Sequence, residues 1–123
     1  MTAAEFASKV REHVKPGDVF DNPGDGTSVV LSITETNFRY QRGKSPISVG
    51  IHGLFDAYAH FSGRKVLSSD LKKYAPAVFD SNARPAGHNC NCTMLFMILE
   101  RLGLAGEIEG TGKKGDSFWT TIG

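Results

Sequence analysis

Residues 85–103 read PAGHNCNCTMLFMILERLG, and where this stretch sits decides the fold. Its centre, MLFMIL at 94–99, is apolar around the whole circumference of a helix, the mark of a helix buried on all sides. Cys92, Leu95, Phe96, Leu99 and Leu102 fall at spacings that share one face. Gly87 relaxes the backbone ahead of the helix, and Asn89 or Asn91 offers a side-chain oxygen as its cap. Gly103 offers a left-handed C-cap with apolar Leu104 behind it. The pattern predicts a core helix from about Asn91 to Leu102.

The same stretch gathers His88, Cys90 and Cys92 within five residues, and its two cysteines are the only ones in the chain. Three chemistries compete there. A zinc site wants four ligands, usually as two chelating pairs from separate places, and the other histidines, His13, His52 and His60, stand singly at distant positions. A nucleophile is favoured at a helix start, where the dipole lowers the pKa of Cys90, but His88 two residues away does not by that spacing reach its sulfur. His52 or His60 serves as base only if the fold brings one across. The third reading makes Cys92 a small buried hydrophobe and the rest the start of a core helix. A thiol- or metal-dependent site at His88, Cys90 and Cys92 stays as an alternative, while the expected sets of catalytic residues, metal ligands and cofactors are empty.

Working outward, Thr2 and Glu5 have capping-box spacing, and Phe6, Val10 and Val14 form a stripe that ends at Lys15-Pro16-Gly17, which predicts a helix over 2–14. From 18 to 51 the period changes to that of strands. VF, TSVVLSIT, NFRYQRG and ISVGI are β-branched or aromatic runs between turn formers, so a small antiparallel sheet is expected. NPGDGTS between the first two is read as a turn, because no GK[ST] or G-x-G-x-x-G follows its glycines. Ile51, Leu54, Phe55, Tyr58 and Phe61 then take helical spacing, with Gly63 as the stop. Ser68 or Ser69 is placed to cap a second helix through Leu71 and Tyr74, which Pro76 interrupts or ends. The chain closes on EIEGTGKKGDSFWTTI, two strand-like pieces around a Gly- and Lys-rich tip.

At 123 residues one domain spanning 1–123 is expected, long enough for a core without obligatory staples; within it 1–50 is helix plus strands and 51–123 the helical half. A formal charge of +1 gives no global field for nucleic acid or anionic membrane, so any such contact needs a local patch. Two cysteines one residue apart cannot close an ordinary disulfide, and reduced thiols imply a cytoplasmic protein. No run approaches transmembrane length, so no membrane partner is expected.

The order helix, KVL, helix, turn, helix and basic-tipped hairpin over 51–122 resembles the winged-helix variant of helix-turn-helix domains. GIHGLFDAYAHFSGRKVLSSDLKKYA, NCTMLFMILERLGL and IEGTGKKGDSFW carry the resemblance, which is one of topology. It implies DNA binding, with the third helix in the major groove and the wing on phosphate. On this chain it makes Asn89, Asn91 and Thr93 the groove-facing residues and Lys113 and Lys114 the wing contacts, with Lys72, Lys73 and Arg84 flanking the backbone. Asn and Thr suit base edges chemically. Winged helices also dock proteins, so a protein partner or a second copy of the chain is the alternative to DNA. In size and style the chain also resembles small single-domain proteins of bacterial mobile, integron-type gene cassettes.

Two further stretches stand out. NFRYQRGK interleaves Phe38 and Tyr40 with Arg39 and leads to Arg42 and Lys44, a pattern that fits either base stacking or a half-buried strand. Phe118 and Trp119 either pack the last hairpin on the helices or anchor a partner. The combined reading is an α+β protein: an N-terminal helix, a small antiparallel sheet, then a three-helix winged-helix-like half ending in a β-hairpin. Its function reads as non-catalytic binding, with DNA the leading ligand class.

Overall fold

The computed structural model describes residues 1–123. Helix α1, Ala3–His13, opens on the expected capping box: the Thr2 hydroxyl accepts from the Glu5 amide at 3.1 Å and the Glu5 carboxylate accepts from the Thr2 amide at 2.9 Å. The Thr2 amide, and then the Thr2 hydroxyl beside it, hold the Glu5 carboxyl below the ordinary carboxylate range. Phe6, Ala7 and Val10 are buried, and the Phe6 ring stacks on Tyr58 at 5.7 Å.

Four strands follow, β1 (Val19–Asp21), β2 (Thr27–Ile33), β3 (Asn37–Arg42) and β4 (Ser45–Gly50), in an antiparallel meander. Alternation sends Phe38 and Tyr40 of β3 inward, where Tyr40 lies opposite Val30 of β2 and Ile47 of β4. The β2–β3 register slips between Val30 and Ser32, so Leu31 has no partner and stays exposed.

Helix α2, Ile51–His60, leaves β4 without a loop, and Gly63 turns the chain after it at φ 79°. Strand β5, Lys65–Leu67, pairs with the last strand, β6, Trp119–Thr121. Helix α3, Ser68–Tyr74, departs from expectation at its start: the cap is Leu67, whose amide donates to the Asp70 carboxylate at 2.9 Å. The amide of Ser68 is instead drawn into the β5–β6 pairing, donating to the Phe118 carbonyl at 2.9 Å. Pro76 acts as a breaker and a starter, since α3 stops before Ala75 and a short α4, Pro76–Phe79, begins on the proline.

Helix α5, Cys90–Arg101, is the centre of the fold. All nine residues from Asn91 to Leu99 are buried, as the all-round apolar run predicts. At its end Gly103 adopts φ 75° and the Leu104 amide returns to the Leu99 carbonyl at 2.8 Å, the expected left-handed cap. At its start the approach is tight: a side chain at Gly87 would strike the carbonyls of Asp80, Ala83 and Pro76. One cluster of 26 buried apolar residues runs from Phe6 of α1 through the sheet and α5 to Ile122, so both halves share a core.

The C-terminal hairpin is less regular than expected. Its second arm forms β6, but its first makes only single bridges, Ala105 with Ile122 and Glu109 with Trp119. Thr120 explains part of this, since its hydroxyl takes the carbonyls of Gly106 and Glu107 at 2.9 and 3.2 Å in place of a ladder. Glycines at 106 and 110 add backbone freedom that a strand resists. No helix is long and apolar enough to cross a membrane.

Candidate nucleic-acid cleft

The start of α5 is split between solvent and core, with Asn89 exposed, Cys90 half-buried and Asn91 inside. Asn91 is fully buried, its Oδ1 accepting from the Tyr40 hydroxyl at 2.7 Å and its Nδ2 donating to the Val78 carbonyl at 2.8 Å. One amide thereby fastens β3 and the α4 region to α5. Thr93 is 7 % exposed and turns its hydroxyl back to the Cys90 carbonyl at 3.3 Å. Asn89 is exposed, yet its Oδ1 accepts from the Ser81 amide at 2.9 Å and its own amide donates to the Ser81 hydroxyl at 2.8 Å. The expectation that all three present polar groups to a major groove is therefore corrected for Asn91 and Thr93, while Asn89 stays exposed. Asn91 and Thr93 face the protein, because the four-stranded sheet covers the helix start, and the carbonyl end of the Asn89 amide is engaged by the preceding loop. Neither asparagine caps α5 with its side chain, either.

The thiols divide by depth. Cys92, 1 % exposed, lies near the Ser68 and Phe79 carbonyls at 3.6 and 3.7 Å, and burial pushes its thiol up to about 12. It stays protonated at neutral pH, which removes it as a nucleophile. Cys90 is half-buried with its sulfur 3.3 Å from the Tyr40 hydroxyl, whose own pKa is raised well above the usual range by burial and then by Cys90. His88 lines the same cleft as Cys90, whereas His52, paired with Asp56 at 3.5 Å, and His60, stacked on Tyr74 at 4.1 Å, do not. No group of three His, Cys, Asp or Glu side chains stands close enough to hold a metal ion.

What the fold does build is an open cleft of about 1440 Å³ between the sheet and the helical half. One wall comes from β2 and the β3–β4 turn, including Leu31 and Arg42. The other comes from Lys72 of α3, the start of α5 and the 112–118 segment with Lys113, Lys114 and Phe118. Four cations, Arg42, Lys72, Lys113 and Lys114, line it against a single carboxylate, Asp25. In a chain whose formal charge is only +1, this is a local concentration of positive charge.

The lysine tip is held out by its own hydrogen bonds. The Asp116 carboxylate accepts from the Thr111 amide at 3.2 Å and hydroxyl at 3.0 Å, and the Asp116 amide closes the turn on the Lys113 carbonyl at 2.9 Å. Phe118 anchors the tip below: its ring fills the space that a Cβ on Gly112 would need and lies against Gly24 of the β1–β2 turn. Trp119 is half-buried under the Lys65 ammonium, 4.1 Å from the ring centroid, so it packs the strand pair.

Of the cations singled out in the sequence, Lys72, Lys113 and Lys114 reach the cleft, whereas Lys73 and Arg84 are exposed elsewhere. Arg42 joins them from the sheet, a convergence across seventy residues that no local spacing signals. Asn22 and Asp25 of the NPGDG turn also line the cleft, and composition alone reads them as ordinary turn formers. No protein-family model, curated protein or solved structure matches the chain.

Proposed function

We propose that this chain is a non-catalytic binding module that takes a single strand of nucleic acid along the cleft. The observation that carries the reading is the convergence of Arg42, Lys72, Lys113 and Lys114 from both halves on one open channel with one carboxylate. Cations on two walls suit a phosphate backbone running between them, and Phe118 and Leu31 add the apolar surface on which bases rest. A single strand is favoured over a duplex because a duplex reader needs an exposed polar helix face, and Asn91 and Thr93 are buried. Of the contacts implied by the winged-helix resemblance, the wing lysines and Lys72 stay in this reading, and the third helix leaves it as the reader of bases.

The test is a fluorescence-anisotropy titration of a labelled 12-nucleotide single strand and of a hairpin duplex of the same sequence between 50 and 200 mM salt. The strand should bind more tightly than the duplex, with affinity falling steeply as salt rises. Changing Lys113 and Lys114 together to Ala should reduce the log–log slope by about 1.4, two phosphate contacts at ~0.7 each. Salt-independent binding, or a preference for the duplex, overturns the reading.

A further inference from the structure

The four-stranded sheet ends on two edges, and they are protected unequally. At the β1 end the edge strand is three residues long, finishes on Asp21 and follows the Asp18–Arg101 ion pair at 3.4 Å, so short length and charge discourage a further strand. At the β4 end the strand runs six residues, Ser45–Gly50, with no charged side chain among them. Ile47 and Val49 face the core, while Ser45, Pro46, Ser48 and Gly50 are exposed. The β3–β4 ladder settles which backbone groups are left over. The Ile51 amide donates to the Thr36 carbonyl at 2.9 Å, whereas Asn37, the residue opposite Gly50, gives its carbonyl to the Thr34 amide and its amide to the Thr34 hydroxyl. Antiparallel pairs alternate between bonded and non-bonded, so Val49, Ile47 and Ser45 bond to β3, and Pro46, Ser48 and Gly50 turn their backbone groups outward. No loop takes the Ser48 or Gly50 amide.

We propose that this edge takes a second copy of the chain, β4 pairing antiparallel with β4 about a two-fold axis at Ser48. The pairing needs no ligand in the cleft, although Ser45, Pro46 and Ile47 border that cleft as well. Ser48 sits midway between Pro46 and Gly50, so across the axis it meets its own copy, and Pro46 of each chain meets Gly50 of the other. Each Ser48 amide donates to the other Ser48 carbonyl, and each Gly50 amide donates to the Pro46 carbonyl opposite it. The bond that proline withholds is one that Gly50 does not need. Pro46 has no N–H to give, and the Gly50 carbonyl, at the cap of α2, already accepts the first bond of that helix. Gly50 keeps an extended backbone, φ −69° and ψ 131°, so the ladder reaches it before the helix turns away. A strand of other sequence brings an N–H to that occupied carbonyl and a carbonyl to the proline that cannot answer it. Charge and shape agree with self-pairing: no like charges meet across the axis, and nothing lies within 4 Å of where a Cβ on Gly50 would stand, which leaves room for the proline ring. A strand pair alone covers less than the ~1,200 Å² of a standard interface, so the dimer forms reversibly.

The experiment is sedimentation equilibrium of the protein, without nucleic acid, from about 10 µM to about 1 mM, the range in which a small interface dissociates. The average mass should climb from one chain toward two. Ser48→Lys and Ser48→Glu set like charges face to face on the axis, so each variant alone should stay a single chain throughout. Their circular dichroism spectra should match the wild type, because the Ser48 side chain is exposed. Mixed in equal amounts, the two variants should associate again, since a lysine then faces a glutamate; this arm separates β4 pairing from a loss of folding. Val19→Lys, on the β1 edge, should dimerise as the wild type does. A wild type that remains one chain at about 1 mM overturns the inference. So does a dimer that survives both Ser48 changes, or one that Val19→Lys abolishes. A mixture of the two Ser48 variants that stays monomeric overturns the register that sets Ser48 opposite itself.

Discussion

The start of α5 and the 111–116 turn are two short polar segments with similar sequence promise, and the fold uses them in opposite ways. At the first, Asn91 and Thr93 spend their hydrogen bonds inside the protein, on Tyr40, Val78 and Cys90. At the second, Asp116 and Thr111 close the turn on itself, so Lys113 and Lys114 are left free in solvent. The difference follows from what lies next to each. Nine buried residues after Cys90 pull the helix start under the sheet, where every polar atom must find a partner. Four glycines and two lysines among residues 106–115 have no apolar side chain except Ile108 to draw them inward.

This contrast breaks most readily at Asn91. Replacing it with Ala takes one partner from the Tyr40 hydroxyl and one from the Val78 carbonyl, which keep only the Cys90 sulfur and the His88 amide, so urea denaturation should show a loss of about 1–3 kcal/mol, the range of two lost hydrogen bonds. The double change of Lys113 and Lys114 to Ala should move stability by no more than about 0.5 kcal/mol while weakening the strand. If the lysine variant unfolds as readily as the asparagine variant, the two segments are not distinct in role.

A smaller effect separates inner from outer thiol. The Cys92 pKa is raised in the folded state, so its contribution is present below the thiol range of the unfolded chain and is lost as pH climbs toward about 12. Between those limits the unfolded chain gives up a proton that the folded chain retains, and unfolding is favoured. Stability of the wild type should therefore fall by about 1–2 kcal/mol more than that of Cys92→Ala when pH is taken from 8 to 10.5. Parallel pH profiles of denaturation midpoint for the two proteins would contradict the buried assignment.

The smallest effects sharpen the boundary of the cleft. Lys72→Ala should weaken strand binding several-fold, whereas Lys73→Ala and Arg84→Ala, outside the cleft, should leave both binding and stability within error. Equal losses from all three would mean that the cations act as a diffuse field with no defined channel.

Much of this architecture was legible along the chain wherever the cause is local. Thr2 with Glu5, Gly63, Gly103 with Leu104 and the breaker at Pro76 act within a few residues, and each stands at or beside the boundary it signals. The all-round apolar run at 94–99 was equally direct, because burial on every side needs no knowledge of the neighbours. Ser68 escaped this logic: its amide is taken by the Phe118 carbonyl fifty residues away, so the cap fell one residue earlier, on Leu67. The first arm of the terminal hairpin escaped it too, since Thr120 takes the carbonyls its ladder would have used.

By itself the sequence determined a mixed α+β protein with α5 at its centre, Cys92 inside and a glycine- and lysine-rich tip outside, because these follow from local pattern and hydropathy. The tertiary structure alone decided that Asn91 faces Tyr40, that Arg42 meets Lys72, Lys113 and Lys114 across one cleft, and that one end of the Asn22 amide is buried without a partner. The first two of those facts depend on groups some thirty to seventy residues apart. Short polar side chains look alike in sequence, and only the packing around them sets whether their hydrogen bonds turn inward or stay open.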